Sequence, residues 1–321
     1  MKLKQLISLA LTLLLASWVP AKAQMYPSKP VMIIVPFAPG GVTDVLARLY
    51  ARKLSALTGG VFTVENKAGA GGTIGTDFVA RAPKDGYTLG MMIDSHTITP
   101  ALMTRLNYDS IKDFAPISMM AMGQHIIVAH PSFGPNNIRE LIDYAKAKPD
   151  ESYASTGTGT AQHLGMEMLK LKAGIQLTHV PYKGGGQAIN DVVSGQVKVA
   201  ILGIAPVLPF IKSGQLKVLA VTGESRTGLF PQVSTVSETV PDFVTLQWFS
   251  MMAPAGIPKD VQMKLHELIA RVSQDPEVKQ RLAAVALETQ LSAQPADLIR
   301  FMEQDIAKWP SLVKAAGIKP E

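Results

Sequence analysis

The sequence predicts an α/β protein built as two doubly wound domains, and three observations carry that expectation. Strands and amphipathic helices alternate through residues 31–93 in a βαβαβ order. A strand, a glycine-bearing turn and a helix recur in that order at 152–172. An isolated apolar run at 248–253 then returns ahead of a helical C-terminal stretch. A βαβαβ order implies a parallel sheet with helices on its faces. Two such units imply two lobes with a cleft between them.

The stretch at 33–44, I-I-V-P-F-A-P-G-G-V-T-D, organises the first unit. A strand is delivered through Pro39, Gly40 and Gly41 straight onto a helix start. The first N–H groups of a helix lack internal partners and carry partial positive charge, so this junction can hold an anion without Lys or Arg. Gly40 and Gly41 allow close approach to the main chain. Thr43 or Asp44 can cap the helix, and Thr43 can also offer its hydroxyl. An ordinary βα turn has the same signature, so the stretch gains weight only from its recurrence.

After the opening strand, helix 43–57 has Leu46, Leu49 and Leu57 near one face. A strand at 61–66, a glycine turn at 69–72, a helix at 73–81 and a strand at 87–93 follow. Asp94-Ser95-His96-Thr97 closes that strand, where open α/β sheets line a ligand crevice. Apolar runs at 117–122 and 126–129, interrupted by Gly123-Gln124, mark the crossing into the second domain. There a helix at 138–146 and a strand at 152–155 lead into Thr156-Gly157-Thr158-Gly159-Thr160, which opens a helix at 161–172. Strands at 177–181, 197–202 and 216–221 complete the second sheet, with a helix ending near Ser194. Helices at 259–273, 277–285 and 296–308 close the chain, each with Pro near its start. The expected division is 24–124 plus 248–321 for the first domain and 125–247 for the second.

Lys2 and Lys4 precede an apolar run at 6–19, and Ala21 and Ala23 offer the small residues a signal peptidase inspects. Residues 1–23 are therefore expected to be a signal peptide cleaved after Ala23. The run is short for a membrane span of about 20 residues. The chain has no cysteine, so it must rely on its core, and it lacks the thiol at which a lipoprotein is acylated. A freely diffusing periplasmic monomer is expected. The formal charge of +6 falls to +3 once Lys2, Lys4 and Lys22 leave, with 31 − 3 = 28 basic residues against 25 acidic. No dense basic run remains, which argues against nucleic acid or a membrane surface.

Catalytic signatures are absent from the sequence: there is no G-x-S-x-G elbow and no H-E-x-x-H. The six histidines show no metal spacing, and His163 with Glu167 reads as a local hydrogen bond. No cofactor is expected: the G-x-G-x-x-x-G run at 69–75 misses the dinucleotide spacing. His96, at a strand end, is a candidate ligand contact. Tyr182 packs on a ligand or covers the hinge, Lys183 neutralises an acidic ligand or stays solvated, and Trp248 is expected in the hinge core. The two glycine junctions suggest jaws closing on one negatively charged ligand.

The combination Y-P-S-K-P at 26–30, V-P-F-A-P-G-G-V-T-D at 35–44, E-N-K-A-G-A-G-G at 65–72, D-G-Y-T-L at 85–89, K-D-F-A-P-I-S at 112–118, H-V-P-Y-K-G at 179–184 and A-P-A-G-I-P at 253–258 resembles the Bug-type solute receptors. These are the substrate-binding components of tripartite tricarboxylate transporters. The resemblance implies a two-lobed periplasmic binding protein of the second structural class, with a two-strand hinge and membrane permease subunits as partners. It implies binding without catalysis; the competing classes are an exported enzyme acting on a carboxylate and a receptor reporting to a sensor protein. By resemblance, main-chain groups and bridging waters at Phe37, Ala38, Gly41, Thr43 and Asp44 grip a ligand carboxylate. Ser155, Thr156, Thr158, Thr160 and His163 complete the grip from the other jaw. Two places depart from relatives: Asp94-Ser95-His96, and Gly203-Ile204 where many carry a polar pair. Ser95, His96 and Gly203 are thus candidates for the variable end of the ligand, and Tyr182 is a further candidate contact. The missing polar pair suggests a less polar distal portion, such as a ring or alkyl chain.

Overall fold

The computed structural model describes residues 26–182 and 184–320. The expected leader, 1–23, and Lys183 lie outside the described residues. In the first lobe, β1 (Val31–Val35) lies between β2 (Phe62–Asn66) and β3 (Thr88–Ile93) and runs parallel to both. The crossovers are α1 (Val42–Thr58) and α2 (Thr73–Ala80). Alternate residues of β1 enter opposite cores: Val31, Ile33 and Val35 pack with Leu46, Tyr50 and Leu54 of α1, whereas Ile34 packs with Val79 of α2. The period of two, with both faces covered, explains why β1 reads as an unbroken apolar run. A residue with a Cβ at position 75 would sit 2.8 Å from the Pro36 backbone, so Gly75 lets α2 start tight under the turn that follows β1.

In the second lobe, β5 (Ser152–Ser155) lies between and parallel to β6 (Thr178–Pro181) and β7 (Val199–Gly203). Its helices are α4 (Ile138–Ala147), α5 (Ala161–Ala173), α6 (Gly185–Val193) and α7 (Ile204–Lys212). β4 (Phe114–Ala129) belongs to both lobes. Up to Gln124 it pairs antiparallel with β9 (Leu246–Pro254), and from His125 it pairs with β7 and β8 (Lys217–Val221). The crossing expected at Gly123-Gln124 is therefore a continuous strand rather than a break. β9 carries the chain back, inserted between β3 and β4, and β10 (Leu287–Thr289) extends the first sheet beyond β4.

A buried polar knot fastens the crossing. Thr222 Oγ1 donates to the Thr245 carbonyl (2.7 Å) and accepts from the His125 amide (2.8 Å). His125 Nδ1 meets Thr245 Oγ1 at 3.1 Å. Each of these side chains is buried, and such bonds are costly to break there.

The chain ends in α8 (Lys259–Ser273), α9 (Pro276–Ala284) and α10 (Pro295–Ala315). Leu298 and Met302 of α10 pack into a first-lobe core, but Trp309, Leu312 and Val313 pack among Leu164, Leu169 and Phe243 of the second lobe. The last helix thus spans both lobes, whereas the sequence division gave 248–321 to the first. Two helices were not expected, α3 (Ser95–Leu102) and α7. Each has a proline inside it, Pro100 and Pro209.

Candidate functional site

The lobes enclose a cavity of ≈ 600 Å³. From the first lobe come Phe37, Val42 and Thr43 at the start of α1, and Asp94 and Ser95 at the start of α3. The second lobe contributes Thr156, Thr158, Gly159, Thr160 and the first residues of α5, Ala161 and Gln162. Gln247, Trp248 and Phe249 of β9 and the tail residues Ile318 and Lys319 also line it. The two glycine-bearing junctions, separated by more than a hundred positions in sequence, therefore face one space. The N-termini of α1, α3 and α5 all open onto it, and their leading N–H groups lack intrahelical acceptors.

Each turn is tied down from behind. Asp44 accepts from the Gly40 amide (3.0 Å), Arg48 Nε (3.0 Å) and Asn66 Nδ2 (2.9 Å). Burial works against its charge, but those bonds and the Arg48 guanidinium hold its carboxyl below the usual range. Asn66 also donates to the Phe37 carbonyl at 3.0 Å. Across the cavity, Thr160 caps α5, accepting from the His163 amide and donating to the Gly157 carbonyl. His163 Nδ1 accepts from the Gly159 amide (3.0 Å), so its ring proton resides on Nε2. The His163 ring lies parallel to that of His179, centroids 3.9 Å apart, and His179 Nε2 meets Ser155 Oγ at 2.7 Å. Burial lowers both histidines to about 4, with His163 itself a further cause for His179, so both are neutral at neutral pH. Glu167 takes the Tyr153 hydroxyl (2.6 Å) and Lys170 (2.8 Å).

Of the fourteen residues read as ligand contacts, Phe37, Thr43, Ser95, Thr156, Thr158 and Thr160 line the cavity. Asp44, Ser155 and His163 are buried and brace the turns, whereas Ala38 and Gly41 are exposed on the first turn; none of the five lines the cavity. His96 points the other way. Its Nε2 meets the Ser110 carbonyl at 2.9 Å, its ring stacks on Tyr108 and meets Phe114 edge-on, and burial lowers its pKa to about 4. The correction follows from α3: a helix sends adjacent residues to different faces, so Ser95 meets the cavity and His96 does not. Tyr182 donates to Asp191 (2.6 Å) in the second lobe, and Gly203 starts α7 opposite His125; neither lines the cavity. Ile204 is buried core, so residues 203 and 204 give no support to a less polar ligand end. The contacts not anticipated include Ile98, Thr99, Leu102, Gln162 and Gln247. With Ser95, three of them follow the i, i+3, i+4, i+7 helical pattern, a signal hidden by reading 94–97 as a strand end.

Ile98, Ala101 and Leu102 of α3 pack against the second-lobe core, so the lobes are in contact. A side chain at Gly159, where φ is +76°, would place its Cβ 2.6 Å from Leu102 Cδ1.

Two α/β lobes joined by crossing strands around an interlobe cavity define a solute-binding protein of the two-lobed periplasmic class, not an enzyme. Residues 46–318 match the family described as "Tripartite tricarboxylate transporter family receptor". The chain belongs to this family of Bug-type receptors. It is 36% identical over 304 residues to protein BugT of Bordetella pertussis, covering 94% of this chain and 93% of that one. Among solved structures, periplasmic binding protein BugD is 36% identical with a TM-score of 0.78, covering 92% of this chain and all of its own. R. palustris Rpa4515 with adipate is 31% identical with a TM-score of 0.80, at 92% and 100% coverage.

Proposed function

We propose that the protein is a periplasmic receptor that closes on a small organic carboxylate and presents it to the membrane permease of a tripartite tricarboxylate transporter. One observation carries the reading: the N-termini of α1 and α5, from opposite lobes, open onto the same cavity beside the Thr43 and Thr158 hydroxyls. Each such terminus favours an anion by about 0.3–1 kcal/mol when exposed and up to about 2 when partly buried. Together they outweigh a surface ion pair, typically about 0–1 kcal/mol. The cavity size falls within the range of small-molecule sites, and the R. palustris relative holds adipate, a carboxylate.

The carboxylate is held by the amides at the start of α1 and α5, by Thr43, Thr156 and Thr158, and by bridging waters. Asp44, Ser155, His163 and Gly41 keep those amides aimed. The apolar wall formed by Ile98, Leu102 and Phe249 receives the carbon skeleton. Closure is the functional step, because only the closed form joins both turns on one ligand. The working protein is a monomer released by cleavage after Ala23, with 24–124 and 248–321 forming most of lobe one, 125–247 lobe two, and the end of α10 clasping the second.

Thermal-shift screening of chain 24–321 against mono-, di-, tri- and aromatic carboxylates, followed by calorimetry, tests this. A saturable rise in melting temperature with at least one class, and recovery of the ligand unchanged, is expected. No binding by any carboxylate, or conversion of the bound compound, would overturn it.

A further inference from the structure

Asp94 is the feature that carboxylate binding leaves unexplained. It sits at the end of β3, half-buried on the cavity wall, and brings an acid into a space otherwise suited to anions. Its position before α3 suggests a helix cap, but its backbone is already helical (φ −48°, ψ −33°) and it makes no cap bond; the adjacent Ser95 amide alone supports its charge from the main chain. No ion pair reaches it among the described residues. Lys308 is near enough to be felt, yet its ammonium is paired with Asp305, which also accepts from Thr97. Among the described residues, the other charged residue on the cavity wall is Lys319, exposed in the tail.

Resting on the carboxylate-receptor reading, we propose that Asp94 receives a positively charged hydrogen-bond donor of the ligand, an ammonium group remote from the carboxylate held by the helix termini. A carboxylate enclosed without a cation is costly, and such a group resolves the cost by holding a proton or by gaining a cation. A ligand that brings its own ammonium supplies that cation; a second ligand carboxylate would instead crowd like charges into one cavity. Burial and the nearby Asp305 push the Asp94 carboxyl up to about 7, which is the behaviour of an acid lacking its counter-ion. The apolar lining, Ile98, Leu102 and Phe249, suits a methylene spacer. Asp94 thus sorts ω-amino acids from dicarboxylates of equal length.

The test uses chain 24–321 at pH 8, where Asp94 is largely ionised. Calorimetry compares ω-amino acids of four to six carbons with succinate, glutarate, adipate and the matching unbranched monocarboxylates. A charge-assisted bond predicts that the best ω-amino acid binds roughly tenfold or more tightly than its dicarboxylate. Asp94→Asn, and Asp94→Ser as a second variant, should erase that preference, the ω-amino acid losing affinity relative to the dicarboxylate of equal length. Equal or tighter binding of the dicarboxylate by the parent protein, or an unchanged ratio in a folded variant, overturns the proposal. Binding of the monocarboxylates in that case leaves the receptor reading intact. Failure of every compound overturns the Asp94 proposal, and the receptor reading falls with it only if tri- and aromatic carboxylates fail to bind as well.

Discussion

At the scale of single residues, the site separates groups that touch the ligand from groups that hold the turns. Thr158 is the exposed residue of its turn, lines the cavity, and its hydroxyl makes no hydrogen bond among the described residues. Thr158→Val is therefore expected to weaken carboxylate binding by about two- to tenfold, the worth of one neutral hydrogen bond, with no change in denaturation midpoint. Asp44 behaves differently, because it braces Gly40, Arg48 and Asn66 at once. Asp44→Ala removes those bonds from donors that water can reach and should cost about 0.5–1.5 kcal/mol of stability, measured by urea unfolding, together with a loss of affinity. A variant in which affinity fell and stability did not would return Asp44 to direct ligand contact. Sequence reading located both turns but not this division of labour, since a residue type and its spacing do not say which way a side chain folds back.

At the scale of elements, α3 decides how the two lobes meet. Its cavity face, Ser95, Ile98, Thr99 and Leu102, was legible as a helical repeat, but Pro100 and the strand just before it masked the pattern. Proline removes one helix bond, and burial of the surrounding face compensates for it. Leu102 of α3 abuts Gly159 of the opposite turn. Gly159→Ala adds a methyl where none fits and asks Ala to hold a positive φ, at about 1–2 kcal/mol for the backbone alone. It is expected to weaken ligand binding by hindering closure, and Leu102→Ala in the same chain should recover part of that affinity by removing the obstacle. Calorimetry on the two single variants and the double variant measures the coupling; strictly additive losses would deny the contact across the cleft.

At the scale of the whole molecule, the two sheets were readable because alternating burial is written into β1 and the distal half of β4. The reach of α10 was not, because a 3.6-residue period marks an apolar face without saying which lobe it covers. Proton linkage also acts at this scale. His96, His125, His163 and His179 are all lowered to about 4 from 6.5, chiefly by burial. Unfolding frees them to bind protons between those values, so stability is fully present above about 6.5 and is lost as pH falls toward 4. Asp94, raised to about 7 by burial and Asp305, has the opposite sign, since its folded form holds a proton that the unfolded chain releases. Four groups oppose one, so melting temperature should climb between pH 4.5 and 6.5; a flat or falling profile would contradict the buried neutral histidines. The tail beyond α10 has a practical consequence, because Ile318 and Lys319 line the binding chamber. A purification handle fused after residue 321 would begin two residues past that lining and could disturb it, so a faithful affinity measurement calls for the handle at the amino end.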